Sequence, residues 1–359
     1  MKYELAQLED LVKNGYLRKV EKDDLVLYGY TDQTTFERAW QTMYTRNARG
    51  LIFDKNTGRL VAKPFPKFFN LGEQEETQLL NLPLDQKYQC YEKCDGSLGI
   101  MYFYNKKWNI ATRGSFTSEQ AIKAEEILKK YDTGVFNITC TYLLEIIYPE
   151  NKIIVNYGSE EKLVMLSAYH THTERECEIG AVFNQARNAG MPTAKEYGHT
   201  LEQMIELQKT LPKDQEGFVV RFENGLRVKI KGDEYSKIAK MISQMSYLSF
   251  WEAMKFGKVS SDYLKQLPEE FRAEYEPLVE KLELQYQTVM KQIGQDLAQL
   301  PVVDATSKEG KKTIGLFLQG PYILQHPHAM FTALKHDDVG LERYIMKQIR
   351  PDGNEPKPI

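Results

Sequence analysis

A chain of 359 residues with 42% hydrophobic side chains is long enough for two domains, each with its own core. A formal charge of −3 and a pI near 6.2 exclude a chain-wide basic field, so any nucleic-acid surface has to be local. With no secretory leader and no apolar run of membrane-spanning length, the expectation is a soluble, cytoplasmic, reduced protein.

The first predicted element is an amphipathic helix with Leu5, Leu8, Leu11 and Val12 along one side. From about residue 25 to 232 the sequence is strand-rich. Arg49-Gly50 leads into the apolar Leu51-Ile52-Phe53, and Asp54 to Gly58 reads as a turn into Leu60-Val61-Ala62. The segment Pro64-Phe65-Pro66-Lys67-Phe68-Phe69-Asn70 then sets a lysine among aromatics. Most arginines and lysines are only solvated surface charge. Arg49 and Lys67 lie instead in apolar segments punctuated by Gly and Pro, where a cation is directed at something.

Tyr91-Glu92-Lys93-Cys94-Asp95-Gly96-Ser97 carries the most chemistry. It places Lys-x-Asp-Gly-Ser at the end of a predicted strand. A lysine amine has an intrinsic pKa of about 10.4, so it is a poor nucleophile until it is deprotonated. Once neutral it can attack the α-phosphorus of a nucleoside triphosphate, expel pyrophosphate and hold the nucleotide as a phosphoramidate. Gly96 permits close approach of the backbone to a ligand. Taken alone, Asp95-Gly96 is equally a hairpin turn.

Further along, Ser118 is placed to cap a helix with Ala121, Ile122, Ile127 and Leu128 as its apolar side. Leu143-Leu144-Glu145-Ile146-Ile147-Tyr148 reads as a buried strand whose one carboxylate is costly unless it is paired or has a task. His170 and His172 lack cysteine or carboxylate neighbours in sequence and read as surface residues. The four cysteines (Cys90, Cys94, Cys140, Cys177) are too few and too irregularly spaced for a disulfide framework or a zinc site. Glu216 opens a strand through Phe222, and Leu226 to Lys231 alternates apolar and charged residues. With Asn224-Gly225 as a two-residue loop, Lys229 faces Val220 and Lys231 faces Phe218. Lys229, Lys231 and Glu216 then share one face, as a phosphate clamp or as the solvated edge of an amphipathic hairpin.

From about residue 234, Met, Leu, Lys, Glu and Gln dominate, with breaks expected near Gly257, Pro268, Pro277 and Pro301. This texture predicts helices. The predicted fold class is α+β: a first domain over residues 1–240 built on antiparallel sheets, then an all-α domain over 241–359.

The order Arg-Gly, Lys-Phe-Phe-Asn, Lys-x-Asp-Gly-Ser, strand Glu, Glu-Gly-Phe-Val and Lys-Ile-Lys resembles the covalent nucleotidyltransferase superfamily of ATP-dependent ligases and capping enzymes. Within it the chain looks most like the phage RNA ligase 1 family. Lys67-Phe68-Phe69-Asn70-Leu71, Gly114-Ser115 before Ser118-Glu119-Gln120-Ala121, and Lys229-Ile230-Lys231 followed by Tyr235 point to that branch. The likeness covers roughly residues 25 to 240.

The resemblance implies an adenylyltransferase domain and an ATP-dependent RNA ligase, with Lys93 as the residue that becomes adenylylated. Lys229 and Lys231 would grip the α-phosphate, and Arg49 and Lys67 the remaining phosphates. Glu145 would meet the ribose or a metal-bound water, and Glu216 a metal or its water shell. Val219 would lie against the adenine, which requires a bulge at Gly217 to bring it onto the face of Glu216. Tyr30 and Glu92 complete the nucleotide-binding set. Arg113 stands where the phage pattern has lysine, a change of geometry as well as residue. The implied cofactors are ATP and Mg2+. The implied partner is RNA with 5′-phosphate and 3′-hydroxyl ends, tRNA among the options, acted on by a monomer. The competing class is a DNA ligase or GTP-using capping enzyme, which usually continues into a β-rich barrel.

Overall fold

The computed structural model describes residues 3–244, 246–255, 269–321 and 324–352. The chain divides into two compact units, 1–237 and 238–359. Among the described residues, thirteen strands in three sheets all lie in the first unit.

Helix α1 (Leu5–Lys13) lies next to the first sheet, whose order is β1 (Leu17–Lys22), β2 (Leu25–Tyr30), β3 (Arg49–Asp54) and β4 (Leu60–Ala62). Two short helices, α2 (Asp32–Phe36) and α3 (Met43–Asn47), stand between β2 and β3. Every residue of β2 is buried, because the strand is covered on both faces. Leu25 and Leu27 join Ile52 and Ala62 in one cluster, while Val26, Tyr28 and Tyr30 join Leu8 of α1, Leu51 and Phe53 in another. That is the period-two alternation of a strand between two layers.

The second sheet runs β10 (Lys162–His170), β9 (Cys140–Ile147), β7 (Ser97–Tyr104) and β8 (Lys107–Ala111). Its Ile100, Tyr102 and Leu143 pack with the Leu27 face of the first sheet. Helices α4 (Glu119–Leu128) and α5 (Ile179–Asn188) pack into a second cluster with Leu144 and Ile146. Ser118 caps α4 by accepting from Ala121 N. Ile122, expected on the apolar side, is exposed, and Ala124 takes the buried position instead.

The third sheet has the order β11 (Glu196–Tyr197), β6 (Tyr88–Glu92), β12 (Gly217–Phe222), β13 (Arg227–Lys231) and β5 (Phe69–Asn70). Phe218, Val220, Phe222, Val228 and Ile230 pack with Leu201 and Met204 of α6 (Leu201–Leu207). Val219 and Arg221 therefore point to the other side. Strand β5 pairs parallel to β13, with Lys229 opposite Asn70, and this carries the Lys67 segment to β13.

The β12–β13 register differs from the expected one by a single residue. Val219 pairs with Lys229 and Gly217 with Lys231. The loop has three residues, Glu223 to Gly225: Phe222 N donates to Leu226 O, Gly225 N donates to Phe222 O, and Gly225 has φ +89°. A three-residue loop that ends on a left-handed glycine is the next commonest hairpin after the two-residue form. The shift puts Val219 on the Lys229 face with no bulge in the ladder. Gly217 contributes by conformation, with φ +144°. This twist brings the Glu216 carboxylate to Lys231 although the two residues belong to opposite faces by strict alternation.

The second unit, with α7 (Asp233–Gln244) spanning its start, is helical throughout its described elements: α8 (Tyr247–Lys255), α9 (Glu269–Gln299), α10 (Lys308–Leu318), α11 (Met330–Leu334) and α12 (Asp338–Gln348). Trp251 Nε1 donates to Met346 O at 2.8 Å, and Tyr247 OH donates to Gln285 Oε1 at 2.6 Å in the interior. Pro277 lies inside α9, giving up one backbone bond, instead of breaking the helix as expected. Pro301 follows the end of that helix, and Gly257 and Pro268 lie outside the described residues.

A Cβ at residue 217 would drive into the Ile230 carbonyl oxygen, and φ +144° is strained for any other residue. Gly217→Ala is therefore expected to lose roughly 2–4 kcal/mol from the unfolding transition of the first unit. Denaturant unfolding checks this, and an unchanged midpoint would show that the twist is not required.

Candidate active site

Lys93 directly follows β6, and its backbone N donates to Gly217 O at 2.9 Å, which ties the residue to the start of β12. Its Nζ meets Glu216 Oε2 at 2.5 Å, while Lys231 Nζ meets Glu216 Oε1 at 3.0 Å. One buried carboxylate thus bridges two lysines. Gly96 N donates to Glu145 Oε1 at 3.0 Å, bringing the strand carboxylate of β9 to the same turn. Residue 96 has to be glycine because a Cβ would sit 2.5 Å from Ile146 O.

These residues edge a cavity of about 210 Å3. Lys93, Glu92, Glu145, Arg49, Lys229 and Val219 all line it, and Phe65, Phe68, Leu98 and Leu166 supply apolar wall. Glu216 meets the cavity through its contact with Lys93, and Lys231 is tied to it through Glu216. Lys67 and Tyr30 are not among the lining residues. Lys67 Nζ lies over the rings of Tyr30, Trp40 and Phe69 at 5.4–5.7 Å. Arg113, which is exposed, donates to Tyr30 OH at 3.0 Å.

Positive charge here exceeds its local compensation. Among the described residues no carboxylate lies within ion-pair distance of Arg49, Lys67 or Lys229. Aromatic faces stand in: Phe68 lies under Lys229 at 4.8 Å and under Arg49 at 5.9 Å. Arg49 Nε and Tyr91 OH, both at the cavity wall, are buried without hydrogen-bond partners. Buried polar atoms of this kind are rare and call for a bonding partner beyond the protein's own groups, water or ion included.

The titrations follow from this crowding. Removal from water, reinforced by Lys67, Arg49, Lys93 and Lys231, pushes Lys229 down to about 7. Removal from water also pushes Glu145 up to about 7, with Lys93 opposing and Glu216 reinforcing. For Lys93, burial disfavours the ammonium, but Glu216, Glu145 and Asp95 outweigh it and hold its pKa above the ordinary lysine value. The pairing with Glu216 thus favours the ammonium form of Lys93.

Several participants were not evident from sequence. Asp95, read only as a turn residue, is a buried anchor: Oδ2 accepts from Ile154 N (2.9 Å) and Val155 N (2.8 Å), and Oδ1 accepts from Tyr235 OH (2.7 Å). The one available signal was Tyr235 itself, recurring after Lys-Ile-Lys in the ligase pattern. Glu176, from outside every recognised motif, pairs with Arg221 at 3.1 Å and with Arg227, two further residues of the cavity wall.

A family model described as RNA ligase matches residues 47–235, just over half of the chain and the whole span from Arg49 to Tyr235. The chain belongs to this RNA ligase family. A Thermovibrio ammonificans protein described as an RNA ligase is 27% identical over 241 residues, covering 64% of this chain and 62% of that protein. An RNA ligase of Rhodothermus phage RM378 is 22% identical over 365 residues, covering 81% and 82%. A polynucleotide kinase/RNA ligase of Autographa californica nuclear polyhedrosis virus is 25% identical over 277 residues, and the chain spans only 39% of its length. An archaeal ATP-dependent RNA ligase superposes with a TM-score of 0.50 at 15% identity, covering 93% of this chain and 95% of that one, so the two share a fold.

In this RNA ligase family member, Arg49 is a half-buried cation with no carboxylate at ion-pair distance among the described residues, and burial pulls its pKa below the ordinary arginine value. Arg49→Met is expected to leave the free protein as stable as the parent or more stable by about 1–2 kcal/mol, since it removes a partly desolvated, like-charge-repelled cation. Thermal unfolding without nucleotide checks this. A loss of more than about 1 kcal/mol would make Arg49 a structural residue.

Proposed function

We propose that this chain is an ATP-dependent RNA ligase that joins 5′-phosphate and 3′-hydroxyl RNA ends through a lysyl-AMP and an RNA-adenylate, in repair of broken RNA such as tRNA. The observation that carries the reading is the Lys93–Glu216–Lys231 bridge beside cations with no carboxylate partners, at the wall of a cavity with apolar sides. Polyanion, base and nucleophile each have a matching surface there. Family membership and the fold shared with an archaeal ATP-dependent RNA ligase support it. The helical second unit favours it over a DNA ligase or capping enzyme with a β-barrel.

In the first step the Lys93 amine attacks the α-phosphorus, a P–N bond forms, and the bond to the pyrophosphate oxygen breaks. Lys93 starts as an ammonium, so it gives up one proton before attack and a second as the P–N bond forms. Glu216, at 2.5 Å, is the group placed to receive the first. Lys229, with its pKa near 7, takes up a proton when phosphate arrives and so gains charge where charge develops. Lys231 shares the Val219 strand face with Lys229 and grips the same phosphate. Arg49 serves the outer phosphates, Lys67 and Tyr30 the outer rim, Val219 the adenine face, and Glu92 the nucleoside. In the second step the AMP passes to an RNA 5′-phosphate, and in the third a 3′-hydroxyl displaces it. All three are in-line displacements in which positioning and charge neutralisation dominate.

The residues fit a divalent ion in part. Glu145 presents a carboxylate on the cavity wall, suited to Mg2+ held by one or two carboxylates together with phosphates. Both Glu216 oxygens are taken by lysines, so Glu216 fits only through a water shell. A bound Mg2+ would supply charge neutralisation on the phosphates and oppose the ammonium form of Lys93.

Two variants separate the steps. Lys93→Ala is expected to abolish protein–AMP formation yet still seal a pre-adenylylated RNA, because only the nucleophile is gone. Lys229→Ala is expected to slow both reactions by roughly a hundredfold, since the α-phosphate takes part in each. Gel assays of the two substrates check this. A folded Lys93→Ala protein that seals from ATP would remove Lys93 from the mechanism.

A further inference from the structure

Away from the cavity, the second sheet brings together three side chains that are distant in sequence. Cys140 opens β9 and His170 closes β10, and the two are direct cross-strand partners. Cys177 follows a tight return in which His170 N donates to Arg175 O at 2.9 Å and Cys177 N donates to Ala168 O at 2.9 Å. The ligating atoms of all three residues lie within 4.8 Å of one another. Cys140 Sγ is 3.3 Å from His170 Nδ1 and 3.8 Å from Cys177 Sγ. All four cysteines of the chain are free thiols. The irregular spacing that argued against a metal site is thus undone by folding, while His170 is exposed as expected.

We propose that Cys140, Cys177 and His170 form a zinc site that clamps the β9–β10 edge. The distances carry the assignment. Zn–S bonds of about 2.3 Å and Zn–N bonds of about 2.0–2.1 Å, at tetrahedral angles, place two sulfurs about 3.8 Å apart and a sulfur and a nitrogen about 3.6 Å apart. The sulfur pair already has the zinc-edge spacing and the Cys140–His170 pair is close to it. A disulfide would need the sulfurs at about 2.05 Å.

Two thiolates and an imidazole also match the chemistry of a borderline-soft ion. Binding releases the two thiol protons, and the two thiolates then balance the charge of the ion. Cys140 is buried, Cys177 is half-buried and His170 is exposed, so the fourth position faces solvent and is filled by water. The site has a structural consequence. Residue 176, next to the ligand Cys177, is the Glu176 that pairs with Arg221 and Arg227. Fixing Cys177 fixes the carboxylate that holds those two arginines at the cavity wall. The ion acts as a clamp at a distance, since Glu145 lies five residue steps, about 17 Å, along β9 from Cys140.

The test uses the full chain, purified reduced, stripped with a chelator and titrated with Co2+ and then Zn2+. The expected result is binding of one Co2+ per chain with a thiolate-to-cobalt charge-transfer band and tetrahedral d–d bands. Zn2+ should displace the Co2+, and the bound ion should protect Cys140 and Cys177 from alkylation. Both bands should vanish in Cys140→Ser/Cys177→Ser and weaken in His170→Ala. Should the double variant fail to fold, alkylation mapping on the unmodified chain decides alone. No thiolate band, equal alkylation of the two cysteines with and without metal, or a Cys140–Cys177 disulfide formed in place of metal binding would overturn the proposal.

Discussion

The carboxylate of Glu216, held between Lys93 and Lys231, is the contact on which the rest of the site depends. It lies between two ammonium groups in a region that also contains Lys229, Arg49 and Lys67, and with Glu145 and Asp95 it holds the pKa of Lys93, the proposed nucleophile, above the ordinary value. Without it the cluster would consist almost wholly of like charges under weakened solvation, which pushes lysines toward the neutral form. Lys229, lacking such a partner, shows the outcome at about 7. The difference between these two lysines, one held charged and one driven toward neutrality, separates the proposed nucleophile from the proposed clamp.

The fold positions this contact through backbone more than through side chains. Lys93 N binds Gly217 O, β12 lies between β6 and β13, and the positive φ of Gly217 turns Glu216 toward both lysines. Asp95 then fixes the Lys-x-Asp-Gly turn to the Ile154–Val155 segment and to Tyr235, three attachments made by one buried carboxylate. The parallel β5–β13 pairing delivers the Lys67 segment to the same neighbourhood. Precise placement of charge on a rigid scaffold is what phosphoryl chemistry requires, because little else is done by the protein.

Much of this was legible in the chain. The Lys93 turn, the isolated carboxylate in Leu143 to Tyr148, the Glu216 strand and the alternating lysines each carry a local pattern, and β12 and β13 form where alternation places them. What was not legible depends on contacts far apart in sequence. The hairpin register turned on loop length, and Asn224-Gly225 serves a three-residue loop as well as a two-residue one. A one-residue slip reverses faces, so Glu216 was set on the face of the two lysines and a bulge was invoked to bring Val219 there, where the observed register places it without one. Asp95 looked like a turn residue because its partners lie at 154, 155 and 235. Cys140, His170 and Cys177 become neighbours only once β9 and β10 pair. Pro277 and Ile122 show a different limit: helix interior and helix face are set by packing as well as by composition.

The most direct test of the account is covalent labelling. The purified chain, shown to be free of bound AMP, is incubated with α-labelled ATP and Mg2+, denatured and mapped by peptide mass. The account predicts one acid-labile AMP on the peptide that contains Lys93, removed by added pyrophosphate. Label on another residue, label from GTP in place of ATP, or no label on a folded protein would contradict it.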